Sequence, residues 1–112
     1  MNGKFLGKIQ HASFGDGGYQ DVQFGVSFTL KTSGGSVNTG KWEWNPEHIK
    51  VSEGTQWTEC DRSHGFDNIM RYAARLMKEA KVKEFHKLVG TPIEAEFAGG
   101  SLKSWRILTE VL

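Results

Sequence analysis

The chain has little that would staple it together or fix it in place. It holds a single cysteine, Cys60, which excludes an internal disulfide and a cysteine-based zinc site. Stability must therefore come from packing. No stretch approaches the roughly 18 uninterrupted apolar residues of a membrane helix. The first residues, MNGKFLGKIQ, lack an apolar h-region and a small-residue cleavage site. The expectation is a cytoplasmic protein with no membrane partner. An excess of charge is also missing, because the formal net charge is +1. A protein that grips a long phosphate backbone needs a cation for each contacted phosphate, so long nucleic acid is disfavoured as the partner. Small anionic ligands stay open, since a few arginines can hold them. Catalytic and metal constellations are scarce too. Cys60 and His64 stand four apart with no oriented third group or oxyanion signature, and His11, His48, His64 and His86 show no metal-ligand spacing. The expectation is a protein that is not an enzyme and uses no cofactor.

At 112 residues the chain fits one domain, residues 1–112, with no internal repeat and no low-complexity segment. Lys4 to His11 reads as a first strand anchored by Phe5 and Ile9. Glycines 15, 17 and 18 then suggest a loop, read most simply as a hairpin connection, before Val22 to Leu30, whose strict alternation of Val22, Phe24, Val26, Phe28 and Leu30 marks a half-buried strand. KTSGGSVNTG reads as a turn-rich connector, and Lys41 to Asn45, with Trp42 and Trp44 on one side, as the partner strand stopped by Pro46. His48 to Val51 suggests another short strand. From Cys60 onward the period changes: Phe66, Ile69, Met70, Ala73, Leu76, Met77 and Ala80 recur at three and four, the spacing of one helical face. Asp61 or Ser63 is expected to cap this helix, with Lys78 and Lys81 near its C-terminal end. A shorter helical piece follows in KEFHKLVG, then a second hairpin, PIEAEF with LKSWRILTEVL, extended to the C-terminus. The predicted class is α+β: a mainly antiparallel sheet in the order β-β-β-α-β-β, with one long helix and a short one packed on it.

Arg106 is the most informative single residue. Alternation in SWRILTEV puts Trp105, Ile107, Thr109 and Val111 on one face and Arg106, Leu108 and Glu110 on the other. Two readings stay open: a strand-face ion pair with Glu94 or Glu96, or an arginine fork aimed at a phosphate or carboxylate. Arg62, beside Trp57 at the helix start, is a second cation near free backbone N–H groups, although an ordinary arginine beside a core tryptophan is the better reading of those residues alone. The glycines from Gly15 to Gly18 could nest an oxyanion, but they lack the Lys-Ser/Thr ending of a P-loop. Trp42, Trp44, Trp57, Trp105, Phe14 and Tyr19 give a small domain ample scope for stacking on flat rings, most of it spent on the core.

FGDGGYQD before a Gly-containing apolar strand, QWTECDR leading into the helix, AKV at its end and LKSWRILTEVL at the C-terminus occur in an order that resembles the Thoeris anti-defence 1 family of bacteriophage proteins. The likeness spans the chain from about Phe14 to Leu112. It implies a sponge that binds cyclic ADP-ribose isomers and holds them intact, so that the bacterial effector is never activated. It further implies uptake of CBASS cyclic oligonucleotides at a separate site, and assembly from dimers into hexamers. By the same resemblance Arg106 and Arg62 would clamp phosphates, Phe14, Tyr19 and Trp57 would stack on the ligand, and Gln20 and Asp21 would hydrogen-bond it. The competing readings are a small module that binds a host protein or nucleic acid through its sheet, against which the balanced charge counts in the nucleic-acid version, and an enzyme that cleaves the signal.

Overall fold

The computed structural model describes residues 2–112. It contains β1 (Gly3–Gly17), β2 (Gln23–Thr32), β3 (Gly35–Trp44), α1 (Glu59–Ala80), β4 (Pro92–Ala98) and β5 (Ser101–Ile107), with 3-10 turns at Tyr19–Asp21, Phe85–Leu88 and Thr109–Val111. All strand pairs are antiparallel, in the spatial order β3-β2-β1-β4-β5. The α+β class and the order β-β-β-α-β-β are those expected from the sequence.

β1 is longer than its alternation suggests, and the reason is a bulge. Between Ile9 and His11 the register with β2 slips by one residue, so the pattern that places Phe5 and Ile9 toward the helix resumes on even numbers at Ala12 and Phe14. The expected strand end at His11 is the bulge. Beyond it, β1 continues through the glycines: Gly15 pairs with Gly25, Asp16 with Phe24 and Gly17 with Gln23. The expected glycine loop is thus mostly strand, and the reversal is confined to Gly18 through Val22. There Gln20 and Asp21 take left-handed backbone angles, φ 51° and 59°, and Tyr19 N–H donates to Gln23 Oε1 at 2.9 Å. The missing side chains make room for others. A Cβ on Gly17 would stand 2.7 Å from the Trp42 ring, and one on Gly25 would be driven into the Lys41 carbonyl oxygen. Gly25→Ala should therefore lower the unfolding free energy by about 1–3 kcal/mol, the range of overpacking changes, because a paired strand backbone cannot yield as a side-chain tip can. Urea denaturation measures this, and an unchanged midpoint would contradict the packing described.

The β2–β3 connection is also tighter than expected. Only Ser33 and Gly34 lie outside the strands, and the buried Thr32 hydroxyl closes the turn by donating to Gly35 O at 2.9 Å and accepting from Gly34 N at 3.2 Å. β3 therefore begins at Gly35, not Lys41. His48 to Val51 is not a strand: the chain turns after Asn45, whose carbonyl accepts from the N–H groups of His48 and Ile49.

The helix cap is Thr58. Its hydroxyl accepts from Asp61 N at 3.2 Å while Thr58 N donates to Asp61 Oδ2 at 2.7 Å, a reciprocal capping box that makes Asp61 the third helical residue rather than the cap. These hydrogen bonds, the one from the Thr58 backbone foremost, lower the Asp61 pKa below its ordinary value. α1 buries Ile69, Ala73, Leu76 and Ala80 against Ile9, Val26, Phe28 and Leu30 of the sheet and Ile93, Ala95 and Ile107 of the second hairpin. Met70 belongs to the same sequence period yet is 57% exposed, at the margin of the stripe. Phe28 sits at the centre, with the rings of Trp105, Phe85 and Tyr72 at centroid distances of 5.3, 5.6 and 6.3 Å. Strands β2 and β5 are three intervals apart, about 14 Å in a flat sheet, so the contact of Phe28 with Trp105 shows the sheet curling around α1. No helix among the described residues is long and apolar enough to cross a membrane.

Candidate functional site

The curl brings both edge strands toward the same side of α1. Asn68, Arg71, Tyr72 and Arg75 recur at three and four on the helix and face a groove of about 590 Å³. Thr39, Gly40 and Lys41 of β3 form one rim, and Ser104 and Trp105 of β5 the other. Its volume is that of a small-molecule site, and its lining is unusual for a chain of balanced charge. Three cations, Lys41, Arg71 and Arg75, converge on it together with two aromatic rings.

Tyr72 organises this lining. Lys41 Nζ lies 4.9 Å from the centre of its ring and the Arg75 guanidinium 5.4 Å. Burial raises the Tyr72 pKa, opposed by the neighbouring Arg75 charge. Arg71 is held one turn away, its Nε donating to Asp67 Oδ2 at 2.8 Å. Thr39 and Ser104 add hydroxyls, and Asn68 an amide. Such a set can neutralise one or two phosphates and hydrogen-bond the sugars that carry them. Among the described residues no three His, Cys, Asp or Glu side chains come together as a metal-binding group.

The residues expected from the sequence lie elsewhere. Arg62 is 3% exposed: it donates from Nη2 to the Ile49 carbonyl, pairs with Glu59 at 3.3 Å and stacks 4.7 Å from the half-buried Trp57 ring. Its side chain ties the segment between β3 and α1 onto the helix, leaving only Nε without a partner. Arg106 is exposed but engaged. Nη1 and Nη2 each donate at 3.0 Å to the two carboxylate oxygens of Glu110, and Nε donates at 3.3 Å to Glu94. The strand-face ion pair is therefore present, with Glu94 as the expected partner and Glu110 as an added one. Glu110 reaches it because β5 stops at Ile107 and Thr109–Val111 turns back, where continuous extension was expected. Arg62 and Arg106 share no partner.

Phe14 packs edge-on against Phe24 and Phe85 at 5.3 and 5.9 Å and, 44% exposed, borders an apolar hollow with Met70 and Met77. Tyr19 is 64% exposed, 6.5 Å from the Trp44 ring, and Gln20 and Asp21 stand exposed on the same turn. These three share the hairpin end of the β1–β2 ribbon, whereas the groove lies along the middle of α1. Lys41, Arg71, Tyr72 and Arg75 were not singled out in the sequence. An aromatic flanked by arginines at one and three residues in a helical period was a visible signal; that β3 and β5 meet it was not.

The Arg106 fork has a measurable signature. It holds the Glu110 carboxyl at a pKa of about 2, far below its ordinary value. A carboxyl depressed on folding contributes stability above its unfolded pKa of about 4.3 and loses that contribution as pH falls through the folded value. An NMR titration should place the Glu110 midpoint near 2, and Arg106→Gln should return it toward the ordinary range. An ordinary midpoint in the wild type would show the fork to be open.

Comparison with protein-family models, with curated proteins and with solved structures finds no match to this chain.

Proposed function

We propose that the protein is a non-catalytic sponge for a small cyclic nucleotide bearing a diphosphate, of the cyclic ADP-ribose type made by bacterial Thoeris defence. The observation that supports this reading best is the convergence of Lys41, Arg71 and Arg75 on an aromatic-walled groove of about 590 Å³. The order of motifs that resembles the Thoeris anti-defence 1 family supports it independently. The ligand is placed in the groove rather than at Arg62 and Arg106, because both of those guanidinium groups are tied within the chain, whereas Lys41 and Arg75 enter no ion pair among the described residues. Uptake of a CBASS oligonucleotide at a second site and assembly into dimers or hexamers belong to the same proposal. Self-association has a physical rationale in the adjoining apolar hollows on either side of Met70, one lined by Phe14, Met77 and Phe85 and the other by Phe24, Pro46 and Phe66.

The test is retention. Protein is mixed with a glycocyclic ADP-ribose, freed of unbound ligand and denatured by heat, and the supernatant is analysed. Intact ligand in proportion to protein is the expected result. Cleaved product would replace the sponge with an enzyme, and an empty supernatant would remove both.

A further inference from the structure

Aromatic rings in a nucleotide site are ordinarily platforms for the base, and stacking on them is worth about 1–3 kcal/mol per base. The Tyr72 ring of this groove is already occupied. Tyr72 carries two cations over its face, Lys41 at 4.9 Å and Arg75 at 5.4 Å, and packs edge-on against Phe28 at 6.3 Å. Trp105 leans on Phe28 at 5.3 Å. A base entering over Tyr72 would have to displace a cation that the ring attracts.

From this arrangement we infer that Tyr72 is a positioning residue that holds Lys41 and Arg75 as an anion clamp, so that the groove selects its ligand by the diphosphate and is indifferent to the base. The inference rests on the ligand reading above and sharpens it. A long, flexible lysine and an arginine on different elements, β3 and α1, would each lose side-chain freedom on gripping a phosphate. Drawing both over one ring orders them beforehand. The hydroxyls of Thr39 and Ser104 and the Asn68 amide are the remaining polar groups of the lining. They suit sugar hydroxyls as well as base edges, and only one of the three, Asn68, offers the paired donor and acceptor that reads a base.

The experiment is isothermal titration of the full chain with cyclic ADP-ribose and with its guanine and hypoxanthine counterparts. The wild type should bind all three within about threefold of one another. Tyr72→Leu should weaken all three by tenfold or more and flatten the salt dependence, whereas Tyr72→Phe, which keeps the ring, should stay within threefold of the wild type. A purely structural role for Tyr72 would leave the salt dependence of a folded Tyr72→Leu protein unchanged. Discrimination of tenfold or more between the bases, or unchanged binding by folded Tyr72→Leu, overturns this inference alone. Base-blind binding that survives loss of the Lys41 and Arg75 charges overturns the clamp together with its placement in the groove. Binding of none of the three removes the ligand reading and this inference with it.

Discussion

Phe28→Ala is expected to lower the unfolding free energy by about 3–5 kcal/mol, the largest stability change of any single substitution considered. Phe28 is 2% exposed and is the point at which the two halves of the sheet meet: β2 carries it, β5 brings Trp105 onto it, and Phe85 and Tyr72 close it in. Truncation would remove a ring from four elements at once and leave a cavity that the curled sheet can only partly collapse. A domain of this size is commonly stable by about 5–15 kcal/mol, so the variant should lose a large share of its folded margin at ambient temperature. The denaturation midpoint in urea reads this directly. A loss below about 1 kcal/mol would mean that β5 does not close over β2.

The second large effect is on binding. Lys41→Ala combined with Arg75→Ala should reduce affinity for the cyclic ligand by at least a hundredfold. Each charge-assisted hydrogen bond to a phosphate is worth about 1.5–3 kcal/mol, and two lost together come to about 3–6 kcal/mol, where 1.4 kcal/mol is tenfold. Both side chains are exposed and each gives up one cation–π contact worth about 0.5–1 kcal/mol, so stability should fall by no more than about 2 kcal/mol. Equilibrium binding with the unfolding curve beside it separates the two quantities. Full affinity in the double variant would place the ligand outside the groove.

Local order was readable from the sequence wherever one residue period held without interruption. α1 shows it: seven apolar residues at three and four spacing foretold the helix, and only Met70 at the margin of the stripe departs from it. β1 shows the opposite. One extra residue near Gln10 inverts the alternation, and a strand of 15 residues reads as a short strand followed by a loop. The glycines misled for a related reason. Gly17 is small because the Trp42 ring lies against it, not because the chain must turn there. The groove was harder to see. Arg71 and Arg75 sit on the solvent side of a helix whose core side carries the recognisable pattern, Tyr72 lies between them at the edge of the core, and their partners come from strands some thirty residues away in either direction. Arg62 and Arg106 drew notice as cations beside tryptophans. That adjacency is real for Arg62 and Trp57, but it serves to pin a connecting segment onto the helix.

The central claim is that the ligand occupies the groove between β3, α1 and β5. NMR titration of the isotope-labelled protein with cyclic ADP-ribose tests it most directly, through the Trp105 indole N–H and the side-chain signals of Lys41, Arg71 and Arg75. The account predicts that these shift together and saturate with one binding curve, while the Arg106 and Glu110 signals stay within the spread of the remainder. Shifts centred on Arg106, Glu110 and Glu94, with the groove signals unmoved, would contradict it.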